Sequence, residues 1–422
     1  MSLLSLSRPP SYRMKRTSLL VFALLGSVAL RAQNETDHPT APPPENLTFL
    51  TDEYIYIPKY KFSLGIRGLT GSKTSFSGRG LVASTAESIG AATGTGVSRL
   101  YHDGSVNVDT RTISTEDGFG GAINVPIAPD GMTSSWTYAD PSQVTPAGNV
   151  AMHTYSADMI DVGPRTKDTD NAFGFEVVVA RDMGKIATRF EWNLAAGFSL
   201  NDLKAGLRST VPAKITTTTD VYSLNGAPAP VAPFTGTSTA SSQTVVDANG
   251  NAVLNSDGTA KTVNTDTATL LGNEPLSRVV STSVTDTTSV TNSWKLKGAY
   301  FTFRAGPTLF LPITAHLRAS VSGGAALVYA GTTYTVVQEF QPVTGDPITA
   351  TMSDSSVHFL PGYYADANIE YWLTDTAGFY AGAVYQNTGE FKQEVKTDSA
   401  DFFTKVDMSS LSGLRAGMNF KF

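Results

Sequence analysis

The stretch Ser412-Gly413-Leu414-Arg415-Ala416-Gly417-Met418-Asn419-Phe420-Lys421-Phe422 sorts its side chains onto two faces. Leu414, Ala416, Met418, Phe420 and Phe422 share one parity, and Gly413, Arg415, Gly417, Asn419 and Lys421 share the other. Side chains alternate across a strand, so this segment reads as a strand with one apolar and one polar face. The same period of two recurs upstream in seven more segments.

Strand one, Lys61 to Leu69, sets Phe62, Leu64 and Ile66 against Ser63, Gly65 and Arg67. Strand two runs from Ala172 to Asp182, and Asp182-Met183-Gly184-Lys185 reads as the tight turn after it. Strand three, ending at Leu200, alternates Phe190, Trp192, Leu194, Ala196 and Phe198 with Arg189, Glu191, Asn193, Gly197 and Ser199. Strand four spans about Ser293 to Leu311, where Trp294 and Leu296 break the apolar parity and suggest a bulge. Strands five, six and seven centre on Leu317 to Tyr329, Tyr363 to Leu373 and Phe379 to Tyr385. Connections after strands two, four and six are short, whereas 70–171 and 201–292 are long. A soluble β-sandwich also alternates its faces, but an even count with short turns on one side suits a barrel.

The other end of the chain carries a basic start at Met14-Lys15-Arg16, an apolar run from Leu19 to Leu30, and Leu30-Arg31-Ala32 before Gln33. This reads as a secretory signal peptide over 1–32, with an upstream extension before Met14. Residues 33–60, including Pro42, Pro43 and Pro44, read as a periplasmic tail, and 61–422 as the β-barrel. Removing 1–32 takes away Arg8, Arg13, Lys15, Arg16 and Arg31 and no acidic residue, leaving 26 basic against 37 acidic side chains, a net charge of −11. An acidic chain is a poor nucleic-acid partner. The absence of cysteine rules out disulfides and thiolate metal sites.

A terminal aromatic such as Phe422, with Phe420 two residues before it, resembles the C-terminal assembly signal of bacterial outer-membrane β-barrel proteins. In strand number and polar lumen the chain looks like the small barrels of the OmpA, OmpX and OmpW type. The resemblance implies an all-β, antiparallel, up-and-down transmembrane barrel of eight strands in the outer membrane of a Gram-negative-type bacterium. Its implied partners are outer-membrane lipid and lipopolysaccharide, the barrel assembly machinery, and an extracellular ligand for the long loops. It covers well under half the chain, because the two long connections depart from it.

The inward parity collects Arg67, Arg189, Arg304, Arg318 and Arg415 with Glu176, Glu191, Asp366 and Glu370. Charges at this density in a narrow lumen pair and fill it, since an eight-stranded barrel holds little beyond side chains. That points to a structural or surface-binding protein, with passive transport of small or hydrophobic molecules as the alternative. No catalytic, metal or cofactor site is expected. His153 and Ser156 fall on opposite faces of a strand, and Asp247-Ala248-Asn249-Gly250-Asn251 places its glycine wrongly for a calcium loop. Asp103, Asp109, Glu116 and Asp117 offer a loose acidic group in the first long connection.

Overall fold

The computed structural model describes residues 59–422 apart from 85–88, 90, 94–95, 117–121, 161–162, 188–189, 237–239, 245–246, 248–250 and 267. The segment 1–32 read as a signal peptide and nearly all of the segment 33–60 read as a tail lie outside the described residues, as does Arg189. No described helix is long and apolar enough to cross a membrane.

One 13-stranded antiparallel sheet organises the chain. Its strands are β1 (Tyr60–Thr70), β2 (Lys73–Ala83), β3 (Val150–Met159), β4 (Arg165–Asp168), β5 (Ala172–Ala187), β6 (Phe190–Tyr222) and β7 (Ser277–Pro312). Then follow β8 (Leu317–Phe340), β9 (Ile348–Trp372), β10 (Ala377–Asn387), β11 (Glu390–Thr397), β12 (Ala400–Asp407) and β13 (Leu411–Lys421). Eight of them close a ring in the order β5-β1-β13-β10-β9-β8-β7-β6, with β6 pairing back to β5. A closed ring leaves no unpaired sheet edge, the condition for crossing lipid with strands.

On the outside of this ring the large apolar side chains stand free: Leu414 is 73 % exposed, Ile66 70 % and Phe173 67 %. Aromatics edge the band. Phe301, Tyr329 and Phe359 sit toward the top in neighbouring register, and Tyr371 pairs with Phe379 at the bottom. Phe420 faces outward there, and the Phe422 ring stacks on Tyr60 at 6.2 Å. A continuous apolar belt with aromatic margins on a closed ring is the surface of a membrane-spanning β-barrel.

The strands do not stop where the belt ends. β6 and β7 remain paired to Val221 and Ser277, and β8 and β9 to Phe340 and Ile348. Segments that read as loops from Asn201 onward and before Asn292 are therefore strand. The expected bulge at Trp294 and Leu296 is absent, because pairing with β6 keeps one register from Glu191 to Pro212 and breaks only at Pro212/Ala213. What changes is the polarity of the faces: Trp294 and Leu296 point inward and are buried, while Lys295 and Lys297 point outward. The tight turn expected at Asp182 to Lys185 is also corrected. The β5–β6 ladder continues to Ala187 and Phe190, with register shifts at Asp182/Lys185.

The other four ring strands break at one level and resume. β1 passes into β2 through Gly71 and Ser72, β11 follows β10 after Thr388 and Gly389, β12 leads into β13 through 408–410, and β4 into β5 through 169–171. Gly71 and Gly389 adopt φ of +96° and +76°, a conformation open to glycine. The upper pieces keep the order of the lower ones, so β11, β12, β2 and β3 face the extensions of β6 to β9 across a second, upper barrel. Its interior is a largely apolar core that includes Phe76, Leu203, Trp294, Leu296, Tyr334, Val336 and Phe402. Between β9 and β11 no ladder forms. Gln393 bridges the seam, donating to the Asp354 carbonyl at 2.8 Å and accepting from Thr332 at 2.7 Å.

A small cap completes the top. Short strands Gly104–Val106, Trp136–Tyr138 and Phe234–Thr235 pair in series over a separate core containing Trp136, Tyr138, Met152 and Tyr222. Gly104–Val106 and Trp136–Tyr138 come from the first long connection and Phe234–Thr235 from the second.

Candidate functional site

The lumen of the lower ring is built from inward residues whose positions follow from strand parity. At its centre Glu176 accepts from Arg304 at 3.1 Å, from Arg415 at 2.7 Å and from the Tyr380 hydroxyl at 2.7 Å. Asp366 takes the same two guanidinium groups at 3.2 and 2.8 Å. Two carboxylates and two guanidiniums form a neutral, fully buried quartet, in which every charge has an opposite neighbour.

Below it Glu370 binds Lys61 at 2.6 Å and Arg318 at 3.7 Å, and Arg318 also reaches Glu191 at 3.2 Å. Trp372 and Phe310 floor this layer: Lys421 lies 4.1 Å from the Trp372 ring centre, and Lys61 lies 4.5 Å from that of Phe310. Above the quartet Arg67 stands apart from the carboxylates. It donates to Asn201 at 2.7 Å and to Thr302 and Gln386 at 3.3 and 3.4 Å. Of the nine lumen charges named from sequence, seven form ion pairs in these two layers, Arg67 among the described residues bonds only to neutral side chains, and Arg189 lies outside them. Lys61 and Tyr380 were not singled out, although Lys61 shares the parity of Arg67 and Tyr380 that of Gln386.

The space left among these groups is about 40 Å³, lined by Lys61, Arg304, Asp366, Glu370, Tyr380 and Arg415 among others. That volume holds a few water molecules and no larger solute. Over it lies the buried core of the upper barrel, so the ion-paired lumen is followed by a largely apolar interior.

The top of the core is closed by polar contacts between three segments. The buried Asp103 carboxylate accepts from His153 Nδ1 at 2.5 Å, from the His153 amide at 2.7 Å and from Thr344 at 2.8 Å. Tyr155 shares a 2.6 Å hydrogen bond with Thr344, and His102 Nε2 contacts the Asp346 carbonyl at 2.7 Å. His153 is therefore oriented by an aspartate, and not by Ser156. Replacing Asp103 by Ala strands these donors, and we expect a loss of about 1.5–3 kcal/mol. Faster amide hydrogen exchange in 99–106 and 341–347 would register it; unchanged exchange there would show that the contacts do not fasten the lid.

The remaining candidates from sequence disperse. Asp109 pairs with Arg111 at 2.9 Å rather than forming an open acidic group with Asp103, and Asp117 lies outside the described residues. The Asp247 carboxylate receives the Asn251 amide at 2.9 Å; 248–250 lie outside the described residues. Two histidines that the sequence did not mark as candidates have structural partners: His316 meets the Trp372 carbonyl at a lower turn, and His358 stacks on Phe391 at 4.3 Å along the seam. In the cap, Asp220 receives Tyr101 and is held by Arg278 at 2.7 Å. Burial, reinforced by that bond, pushes the Tyr101 hydroxyl well above its ordinary range. Burial likewise lifts Tyr222 to about 12.

No family model and no curated protein matches the chain. Among solved structures, the outer membrane protease OmpT from Escherichia coli aligns over 90 % of this chain and 99 % of its own, at 10 % identity and a TM-score of 0.27. Ail, the attachment invasion locus protein of Yersinia pestis, covers 86 % of this chain and 99 % of its own at 10 % identity and a TM-score of 0.22. A Pseudomonas aeruginosa FadL homologue covers 86 % and 90 %, at 8 % identity and a TM-score of 0.16. No residue role passes from them to this chain.

Proposed function

We propose that this protein is a non-conducting outer-membrane barrel whose upper barrel and cap form a rigid platform for contacts at the cell surface. The observation that carries the reading is the ion-paired lumen, where the cavity among Lys61, Arg304, Asp366, Glu370, Tyr380 and Arg415 measures about 40 Å³. The apolar belt supports placement in a bilayer, and the parity of a ring with both ends at the lower side supports a periplasmic lower end. Large exposed elements on a stiff scaffold are where binding concentrates. The alternative, passive transport, needs a path that the ion quartet and the core above it close.

Two measurements test this. Protein shown to be folded by its heat-dependent gel mobility should give no stable channels in planar bilayers; steady openings would overturn the filled-lumen reading and favour transport. Because the chain has no native cysteine, single cysteines report sidedness cleanly. Ser353→Cys in the upper part of β9 should react with an impermeant maleimide on intact cells, and Asp375→Cys in a lower turn should not. The reverse pattern would invert the proposed topology.

A further inference from the structure

Outward residues of β6, β7, β8 and β9 form rows across the wall, fixed by register. The aromatic row is Leu200-Phe301-Tyr329-Phe359, and the next is Asp202-Ala299-Gly331-Val357. Above these comes Lys204-Lys297-Thr333-Ser355, and then Gly206-Lys295-Thr335-Ser353. Lys204 and Lys297 are direct cross-strand partners, a placement that is unfavourable for like charges unless an anion lies between them. Lys204 has Asp202 at 2.8 Å, whereas Lys295 and Lys297 are exposed and make no ion pair among the described residues. The Lys167 ammonium approaches from β4 to the Gly206 carbonyl at 3.0 Å, and Arg208 above it pairs with Glu339 at 3.1 Å.

The height of this lysine cluster is informative. Four residues separate Phe301 from Lys297, about 13 Å along the strand and about 10 Å along the membrane normal at ordinary barrel tilt. That is the headgroup layer, just beyond the hydrocarbon. The β8 and β9 positions of the two lysine rows are hydroxylated, with Thr333, Ser355 and Ser353 exposed and Thr333 bonded to Ser355 at 2.8 Å; Thr351 and Thr349 are exposed in the two rows above, where Arg208 pairs with Glu339. An apolar wall that ends in lysines flanked by hydroxyl groups in the same rows matches an amphiphile whose acyl chains lead into a phosphorylated sugar headgroup.

We infer that the β6–β9 wall binds a phosphorylated glycolipid of the lipopolysaccharide class, with Lys204, Lys295 and Lys297 on its phosphates. This rests on the membrane placement proposed above. The ammonium groups relieve their mutual repulsion on the phosphate oxygens, while acyl chains lie on the Phe301 and Tyr329 surface and sugar hydroxyls meet the threonines and serines of the same rows. A bound glycolipid would thereby be fixed at a defined face of the barrel.

The test uses the full-length protein in detergent micelles, with purified lipopolysaccharide, the same glycolipid enzymatically dephosphorylated, and inorganic phosphate as probes. The triple variant Lys204→Gln/Lys295→Gln/Lys297→Gln should lose at least tenfold in lipopolysaccharide affinity. A control removing equal charge from the opposite wall, Lys392→Gln/Lys396→Gln/Lys405→Gln, should bind as the parent does. Dephosphorylated glycolipid should bind weakly to all three proteins, and inorganic phosphate should not compete at millimolar concentration. Undiminished binding by the first variant, equal loss in the control, equal binding of the dephosphorylated lipid, or competition by free phosphate would each overturn the proposal. Heat-dependent gel mobility in the same samples reports whether the barrel is intact, so failure of the lipid site is separable from failure of the membrane reading.

Discussion

Replacing Glu176 by Ala should cost about 3–5 kcal/mol, the range for breaking a buried ion pair from one side. Glu176 is fully buried and, among the described residues, is one of two carboxylates serving Arg304 and Arg415. Without it both guanidiniums depend on Asp366 alone, inside a ring whose walls exclude bulk water. Tyr380 loses its acceptor as well. Glu176→Gln keeps hydrogen-bonding atoms but not the charge, so it should be damaging too, though less so. Coupling identifies the cause: adding Arg415→Met to Glu176→Ala removes one of the stranded cations, and the double variant should lose clearly less than the sum of the single losses. The urea dependence of the heat-modifiable band in lipid vesicles measures each value. A loss under about 1 kcal/mol for Glu176→Ala would mean that the lumen solvates the freed cations, and the filled lumen would have to be abandoned.

The parts of this architecture that were legible in the sequence are those in which local alternation and membrane polarity agree. In the lower ring, apolar residues face out and charges face in, so Phe62 to Ile66 against Arg67, or Phe175 to Val179 against Glu176, could be assigned from parity alone. Above the belt the alternation persists but its meaning inverts, because water is now outside and the core inside. Trp294 and Leu296 keep the inward parity of Tyr300 and Arg304, and it is the solvent that changes. Reading an apolar residue as an outward one there turned a continuous strand into an apparent bulge and its extension into a loop. Two further features rest on distant partners. The pairing of β2 with β12 joins segments more than three hundred residues apart, and Asp103 finds His153 and Thr344 only through the cap. No local period encodes such contacts.

A substitution at Phe76 should separate the two storeys of the molecule. Its ring is fully buried on β2, between Trp294 at 6.1 Å and Tyr334 at 6.0 Å, so it joins the upper part of β1's continuation to the opposite wall formed by β7 and β8. Phe76→Ala removes a large side chain from a close-packed core and leaves a cavity, at a cost of about 3–5 kcal/mol. The lower ring has its own means of support, namely a closed hydrogen-bonded ladder and the ion quartet, and Phe76 touches neither. The expected outcome is therefore local: heat-dependent mobility is retained, while added protease cuts the upper barrel on intact cells at least tenfold faster than in the parent. Val321→Ala, on the lipid face of β8, is the comparison and should leave proteolysis unchanged. If Phe76→Ala instead abolished heat-dependent mobility together with protease resistance, the ring and the upper barrel would be a single cooperative unit. The breaks at Gly71 and Gly389 would then be bends within continuous strands and not a boundary between two independently stable barrels.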